Sequence, residues 1–180
     1  MFDKAISIDS EYRNKFMHLR QPIQPDRYPK KFYIFTRYID ILMCGALVGF
    51  KYNRKKGEGA PAPGSGDEES ERSIDATIPI KTVLDERERL LNIYRMIMLN
   101  EDDRKLSVEE RIDNAFRYTD DNDERVAENI ELMMSYAYGG VDILYEKFGS
   151  ISTQEDAVDI MNRIYDGLKI EDKNSITIDQ

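Results

Sequence analysis

A mainly α-helical chain, folded as one compact domain over residues 1–180, is what this sequence predicts, and three observations carry that expectation. Apolar residues recur at helical spacing through most of the chain, two Ser-x-x-Glu signatures of the capping-box type open helical segments, and only one short extended stretch is legible. About six helices are expected, interrupted by a mobile Gly/Pro/Ser-rich loop at about 54–74.

The first helix is expected over Ser10 to Arg20, where Tyr12, Phe16 and Leu19 share a face behind the potential caps Asp9 and Ser10. Three prolines between Gln21 and Pro29 then require an extended connector. From about Thr36 to Phe50, Ile39, Leu42, Met43, Ala46 and Leu47 make one apolar face on a helix expected to lie centrally. Arg54 to Ser73 holds Gly, Pro, Ser and charge but no large apolar residue, so burial there cannot offset the entropy of ordering. No Gly-Lys-Ser/Thr follows its GEGAPAPGSG run, which excludes a phosphate loop of that type.

Beyond the loop, Asp75 to Lys81 reads as a short extended stretch confined to an edge or to irregular structure by Pro79. Val83 to Asn100 reads as one helix, and Ser107 to Glu110 as the capping box of the next. A long helix is expected from about Asp123 to Phe148. A second box, Ser152 to Glu155, opens the last helix, which carries Ala157, Ile160, Met161, Ile164 and Leu168.

With 41% hydrophobic and 34% charged residues, the chain is apolar enough to form a core, which excludes general disorder. Its net charge of −9 is unevenly spread: residues 1–56 hold 12 Lys/Arg against 5 Asp/Glu, a net +7, and the remainder is −16. One cysteine allows no internal disulfide and MFDKAISIDS carries no secretory apolar run, so a cytoplasmic location is expected. The most lipid-like segment, Phe32 to Phe50, is interrupted by Arg37 and Asp40, so no membrane contact is expected.

Nucleophilic catalysis needs a base beside the nucleophile, and neither the lone histidine, His18, nor Cys44 has such a partner nearby in sequence. The acidic clusters Glu101 to Asp103 and Asp120 to Glu124 fit helix starts better than a calcium loop, since the second lacks that loop's glycine and distal glutamate. The chain therefore reads as a non-enzyme with no cofactor, no metal site and no catalytic residues. The candidate binding residues are basic: Arg27, Lys30, Lys31 and Arg37 among aromatic residues, then Lys51, Arg54, Lys55 and Lys56. Such a set suits nucleic acid or an acidic partner, or else the chain's own acidic part.

On the long helix, Ala137, Gly139 and Gly140 interrupt a wide apolar stripe. An interior glycine costs about 1 kcal/mol relative to alanine, so the pair either admits another backbone at close range or breaks the helix in two; close packing is the preferred reading. The segment SYAYGGVDIL is similar to the E-x-A-N-G-G-l-x-x-L segment of small helical accessory proteins encoded beside bacterial DNA-phosphorothioation (Dnd) and related phage-defence systems. Ser135 and Tyr138 stand where that pattern has an acid and an asparagine. DILMCGALVGFKYNRKK, from Asp40 to Lys56, resembles the glycine-containing turn and basic stretch that precede it there.

The resemblance implies a defence-associated accessory role and no catalytic residues. The expected function is a non-enzymatic adaptor in a bacterial defence or DNA-modification assembly, binding protein subunits, with its basic third as the candidate surface for DNA; a homo-oligomer is compatible with the charge polarity. The alternatives are a direct nucleic-acid-binding regulator and an acidic DNA mimic that inhibits a DNA-processing enzyme.

Overall fold

The computed structural model describes residues 1–23, 31–58, 76–117 and 124–168. Among these the chain forms β1 (Ile6–Ser7), a 3-10 turn at Ser10–Tyr12, α1 (Arg13–Arg20), α2 (Tyr38–Lys51), β2 (Thr77–Ile78), α3 (Ile80–Asp85), α4 (Arg87–Asn100), α5 (Val108–Phe116), α6 (Glu124–Phe148) and α7 (Gln154–Leu168). The mainly helical class is as the sequence predicts, with seven α-helices among the described residues rather than about six. The greater part of the expected loop, from residue 59 onward, lies outside the described residues.

Two helices organise the core. The middle of α2 is apolar on nearly every side, and Ile39, Ile41, Leu42, Ala46 and Val48 are fully covered. Its main neighbour is α6, whose Met133, Ala137, Val141 and Leu144 are equally buried. Around this pair α1, α4 and α7 each contribute one stripe, as amphipathic helices do. Phe16 and Leu19 come from α1, Leu90, Tyr94 and Ile97 from α4, and Ile164 from α7, all in one continuous cluster.

Three helix boundaries differ from expectation. The helix expected over Val83 to Asn100 starts at Ile80, with Pro79 as its N-cap, and is interrupted at Glu86 (φ −105°, ψ 9°). There the buried Glu86 carboxylate accepts hydrogen bonds from Arg37 at 2.7 Å and Arg89 at 3.1 Å. The contact with Arg37, far away in sequence, has no trace in the local pattern. At the first helix neither Asp9 nor Ser10 caps through its side chain; Asp9 pairs instead with Lys56 at 2.7 Å, and the α-helix begins at Arg13.

The capping box at α5 forms as expected: Ser107 Oγ accepts from the Glu110 backbone N–H, and Glu110 accepts from the Ser107 N–H at 2.8 Å. The Ser107 backbone N–H and the Ser107 hydroxyl, both donating to the Glu110 carboxylate at 2.8 Å, hold it below its usual range, so its contribution is present above the ordinary glutamate pKa and lost as pH falls. Ser107→Ala should cost about 1 kcal/mol of stability at neutral pH, read from urea unfolding. At α7 the cap is displaced by one residue from the expected Ser152: Asp156 N–H donates to Thr153 Oγ1 at 3.1 Å.

Candidate functional site

The two glycine-bearing helices meet at their small residues. Gly45 and Gly49, four apart on α2, face Ala137 and Gly140 of α6. A Cβ on Gly140 would overlap the carbonyl oxygen of Gly45, one on Gly49 would overlap that of Tyr136, and one on Gly45 would stand 2.6 Å from Ala137 O. The helices thus touch backbone to backbone, and α6 runs unbroken through Gly139 and Gly140. Gly139 faces a different neighbour, since its Cβ would strike the backbone of Arg54 and Lys55. One glycine of the pair admits α2 and the other admits the basic stretch that follows it. The i, i+4 glycine pair within GALVG is the sequence signal for the α2 side of this contact.

The basic stretch is held along α6 rather than starting a loose loop at Arg54. Asn53 adopts a left-handed conformation (φ 47°) that turns the chain out of α2. Arg54 N–H then donates to Gly49 O at 2.8 Å, and Lys56 N–H to Ser135 O at 2.9 Å. Each of three successive cations finds carboxylates of this chain. Arg54 makes a bidentate pair with Glu146 at 3.0 and 2.7 Å. Lys55 pairs with Asp103 at 2.6 Å, within 3.5 Å of buried Glu101, and lies over the Tyr136 ring. Lys56 pairs with Asp9 at 2.7 Å and Glu11 at 2.5 Å, over the rings of Tyr138 and Tyr12.

These pairs show in the ionisation of the cations. Burial is the largest single influence on the Lys55 ammonium and works against it, yet the bonds and charges of Asp103 and Tyr136 together outweigh it and its pKa is pushed up to about 12. The Lys56 ammonium is raised by its bonds to Asp9 and Glu11, and the Arg54 guanidinium by Glu146.

Beneath Lys56 lies a second, more buried group. Tyr12 OH donates to Asp142 Oδ2 at 3.2 Å and Lys15 Nζ to Asp142 Oδ1 at 2.5 Å. The Tyr12 ring packs on Tyr138 at 4.4 Å between centroids, and Tyr138 OH accepts from the Asp9 N–H at 3.1 Å. This cluster ties α1, the basic stretch and α6 into one unit. Its tyrosines and acids carried no recognisable motif.

The remaining basic candidates are dispersed. Arg37 is bonded to Asp40 at 2.6 and 2.9 Å and to Glu86. Lys31 and Lys51 are exposed and form no ion pair among the described residues. Arg27 and Lys30 lie outside the described residues.

The other chemistry-bearing residues are also accounted for. His18 meets the Tyr145 ring edge-on at 5.2 Å. Cys44 is half-buried on α2, where burial pushes its thiol up to about 11. Such a thiol is a poor nucleophile at neutral pH. The acidic run at 101–103 diverges: Glu101 accepts from Tyr136 OH and from the Arg104 N–H, Asp102 pairs with Arg111, and Asp103 with Lys55. The second acidic cluster, apart from Glu124, lies outside the described residues. Among the described residues no group of three His, Cys, Asp or Glu side chains is placed to hold a metal ion, and no helix is long and apolar enough to cross a membrane.

No protein-family model, curated protein or solved structure matches this chain.

Proposed function

We propose that this protein is a non-enzymatic accessory subunit that binds protein partners, in the cytoplasm, as part of a bacterial defence or DNA-modification assembly. The observation that carries the partner-binding reading is the set of apolar side chains left outward on three helices. They are Ile80 and Leu84 on α3, Val108, Ile112 and Phe116 on α5, and Val158, Met161 and Tyr165 on α7. Each set repeats at helical spacing, so each makes a stripe rather than a scatter, and apolar stripes at a surface favour contact with another protein. The defence setting draws on the resemblance of Asp40 to Lys56 and Ser135 to Leu144, the two segments that meet at the glycine crossing.

Protein contact is favoured over DNA contact because Arg54, Lys55 and Lys56 are already engaged by Glu146, Asp103, Asp9 and Glu11. A phosphate backbone would have to displace those carboxylates first. The test is purification of the tagged full chain from its native cell with nuclease present, with co-purifying proteins identified and quantified. Stoichiometric defence or DNA-processing subunits are the expected result. Partners seen only when nuclease is omitted would overturn it in favour of nucleic-acid binding, as would binding of purified DNA that weakens steeply with salt and is lost in Lys31→Glu/Lys51→Glu.

A further inference from the structure

We infer that residues 53–58 are a charge-latched strap: closed on α6 it keeps Arg54, Lys55 and Lys56 from phosphate groups, and it opens as a local unit when its carboxylate partners are neutralised or screened. Its action does not depend on which protein partner the chain serves. The strap has no apolar anchor. It consists of Asn53, three cations, Gly57 and Glu58, and only Arg54 and Lys55 are half-buried. The floor beneath those two is Gly139, whose missing side chain lets the backbones touch but offers nothing to interlock with.

The backbone bonds divide into two kinds. Arg54 N–H to Gly49 O, Lys55 N–H to the Glu58 carboxylate and Arg54 Nε to Glu58 O all lie within residues 49–58, so they survive opening and the strap moves as one piece about the left-handed Asn53. Among the described residues one backbone donor reaches α6, the Lys56 N–H, which meets Ser135 O at 2.9 Å and Ser135 Oγ at 3.2 Å.

Charge supplies the rest of the closure. Asp9 and Glu11 from the first turn, Asp103 from the segment after α4 and Glu146 from α6 converge on three consecutive cations. These four acids keep 43%, 59%, 51% and 37% of their side-chain surface exposed, so salt reaches every one of the pairs. Glu101, which faces Lys55 at 3.5 Å, is buried, but it also accepts from Tyr136 OH and the Arg104 N–H and stays bonded without the strap. Closed, each cation is covered by a carboxylate. Open, the strap presents three adjacent cations, an arrangement that neutralises successive phosphates of a nucleic-acid backbone. The closed contact is therefore autoinhibitory toward nucleic acid.

The test uses the purified full chain. In amide exchange followed by NMR, the Lys56 N–H should lose about tenfold or more of its protection between about 0.1 and 1 M NaCl, while the Ile97 and Leu144 N–H groups of the core helices keep theirs. A second arm neutralises the latch in Asp9→Asn/Glu11→Gln/Asp103→Asn/Glu146→Gln. At about 0.1 M NaCl this variant should lose the Lys56 protection and bind a fluorescent DNA duplex of about 20 base pairs about tenfold or more tighter than the unaltered chain. Adding Arg54→Gln/Lys55→Gln/Lys56→Gln should abolish the gain. Glu124→Gln/Glu128→Gln/Glu155→Gln/Asp159→Asn removes the same charge outside the latch and should leave DNA affinity near that of the unaltered chain.

Lys56 protection that ignores salt, that falls only together with the core, or that survives in a folded latch variant overturns the proposal. So does an opened strap with no gain in DNA affinity, or an equal gain in the variant altered outside the latch, which would assign binding to net charge alone. If the latch variant does not fold, the salt series on the unaltered chain decides by itself.

Discussion

Gly140→Ala is expected to destabilise the protein by about 3 kcal/mol or more, the upper end of what overpacking costs. The added methyl meets the carbonyl oxygen of Gly45, which belongs to a backbone and cannot change rotamer. Only separation of α2 from α6 relieves the overlap, and separation loosens the packing of Ile41, Leu42, Met133 and Val141 at the centre of the core. Gly57→Ala is the control. Nothing lies within 4 Å of its Cβ, and only its left-handed φ of 76° resists the change, at about 1 kcal/mol. Urea unfolding of both variants with unchanged m values would measure the difference. If Gly140→Ala cost no more than Gly57→Ala, the backbone-to-backbone crossing would not exist in solution.

The second large effect is expected at Asp142. Asp142→Ala removes the carboxylate that Lys15 and Tyr12 share, with side-chain exposures of only 18% for Lys15 and 11% for Asp142. An uncompensated ammonium in such a site costs about 3 kcal/mol at neutral pH, the low end for a broken buried pair, because Lys15 retains some access to water. The same variant carries a pH signature. Burial, then the Asp142 charge and hydrogen bond, raise the Tyr12 phenol well above its ordinary pKa.

A raised phenol stabilises the fold fully below the unfolded tyrosine pKa of about 10 and loses that contribution as pH rises. Without Asp142 the folded and unfolded values lie closer together. Stability should then decline less steeply above about pH 10, and Tyr12 should ionise nearer its ordinary range in tyrosinate absorbance. A variant as stable as the parent would show that Lys15 escapes to solvent at no cost.

Local pattern carried much of the architecture. The capping box at Ser107 is readable because its donors and acceptors lie within four residues, and a stripe such as Ile39, Leu42, Met43 and Ala46 announces its own burial. The continuity of α6 through Gly139 and Gly140 was inferable because two interior glycines need a compensating contact. The break at Glu86 has no local signature, and the partner its carboxylate meets there, Arg37, lies on another element. The same holds for the start of the loop: residues 54–58 have no apolar content to order them and are held by Glu146, Asp103, Asp9 and Glu11, drawn from distant parts of the chain.

By itself the sequence determined the helical class, the central place of α2 and the need for a close approach at Gly139 and Gly140, because periodicity and backbone cost are local quantities. Only the tertiary structure decided who makes that approach, α2 at Gly140 and the basic stretch at Gly139. It alone also decided that Arg54, Lys55 and Lys56 face the chain's own acids. Charge pairing depends on distance in space, and composition records the number of charges but not which of them meet.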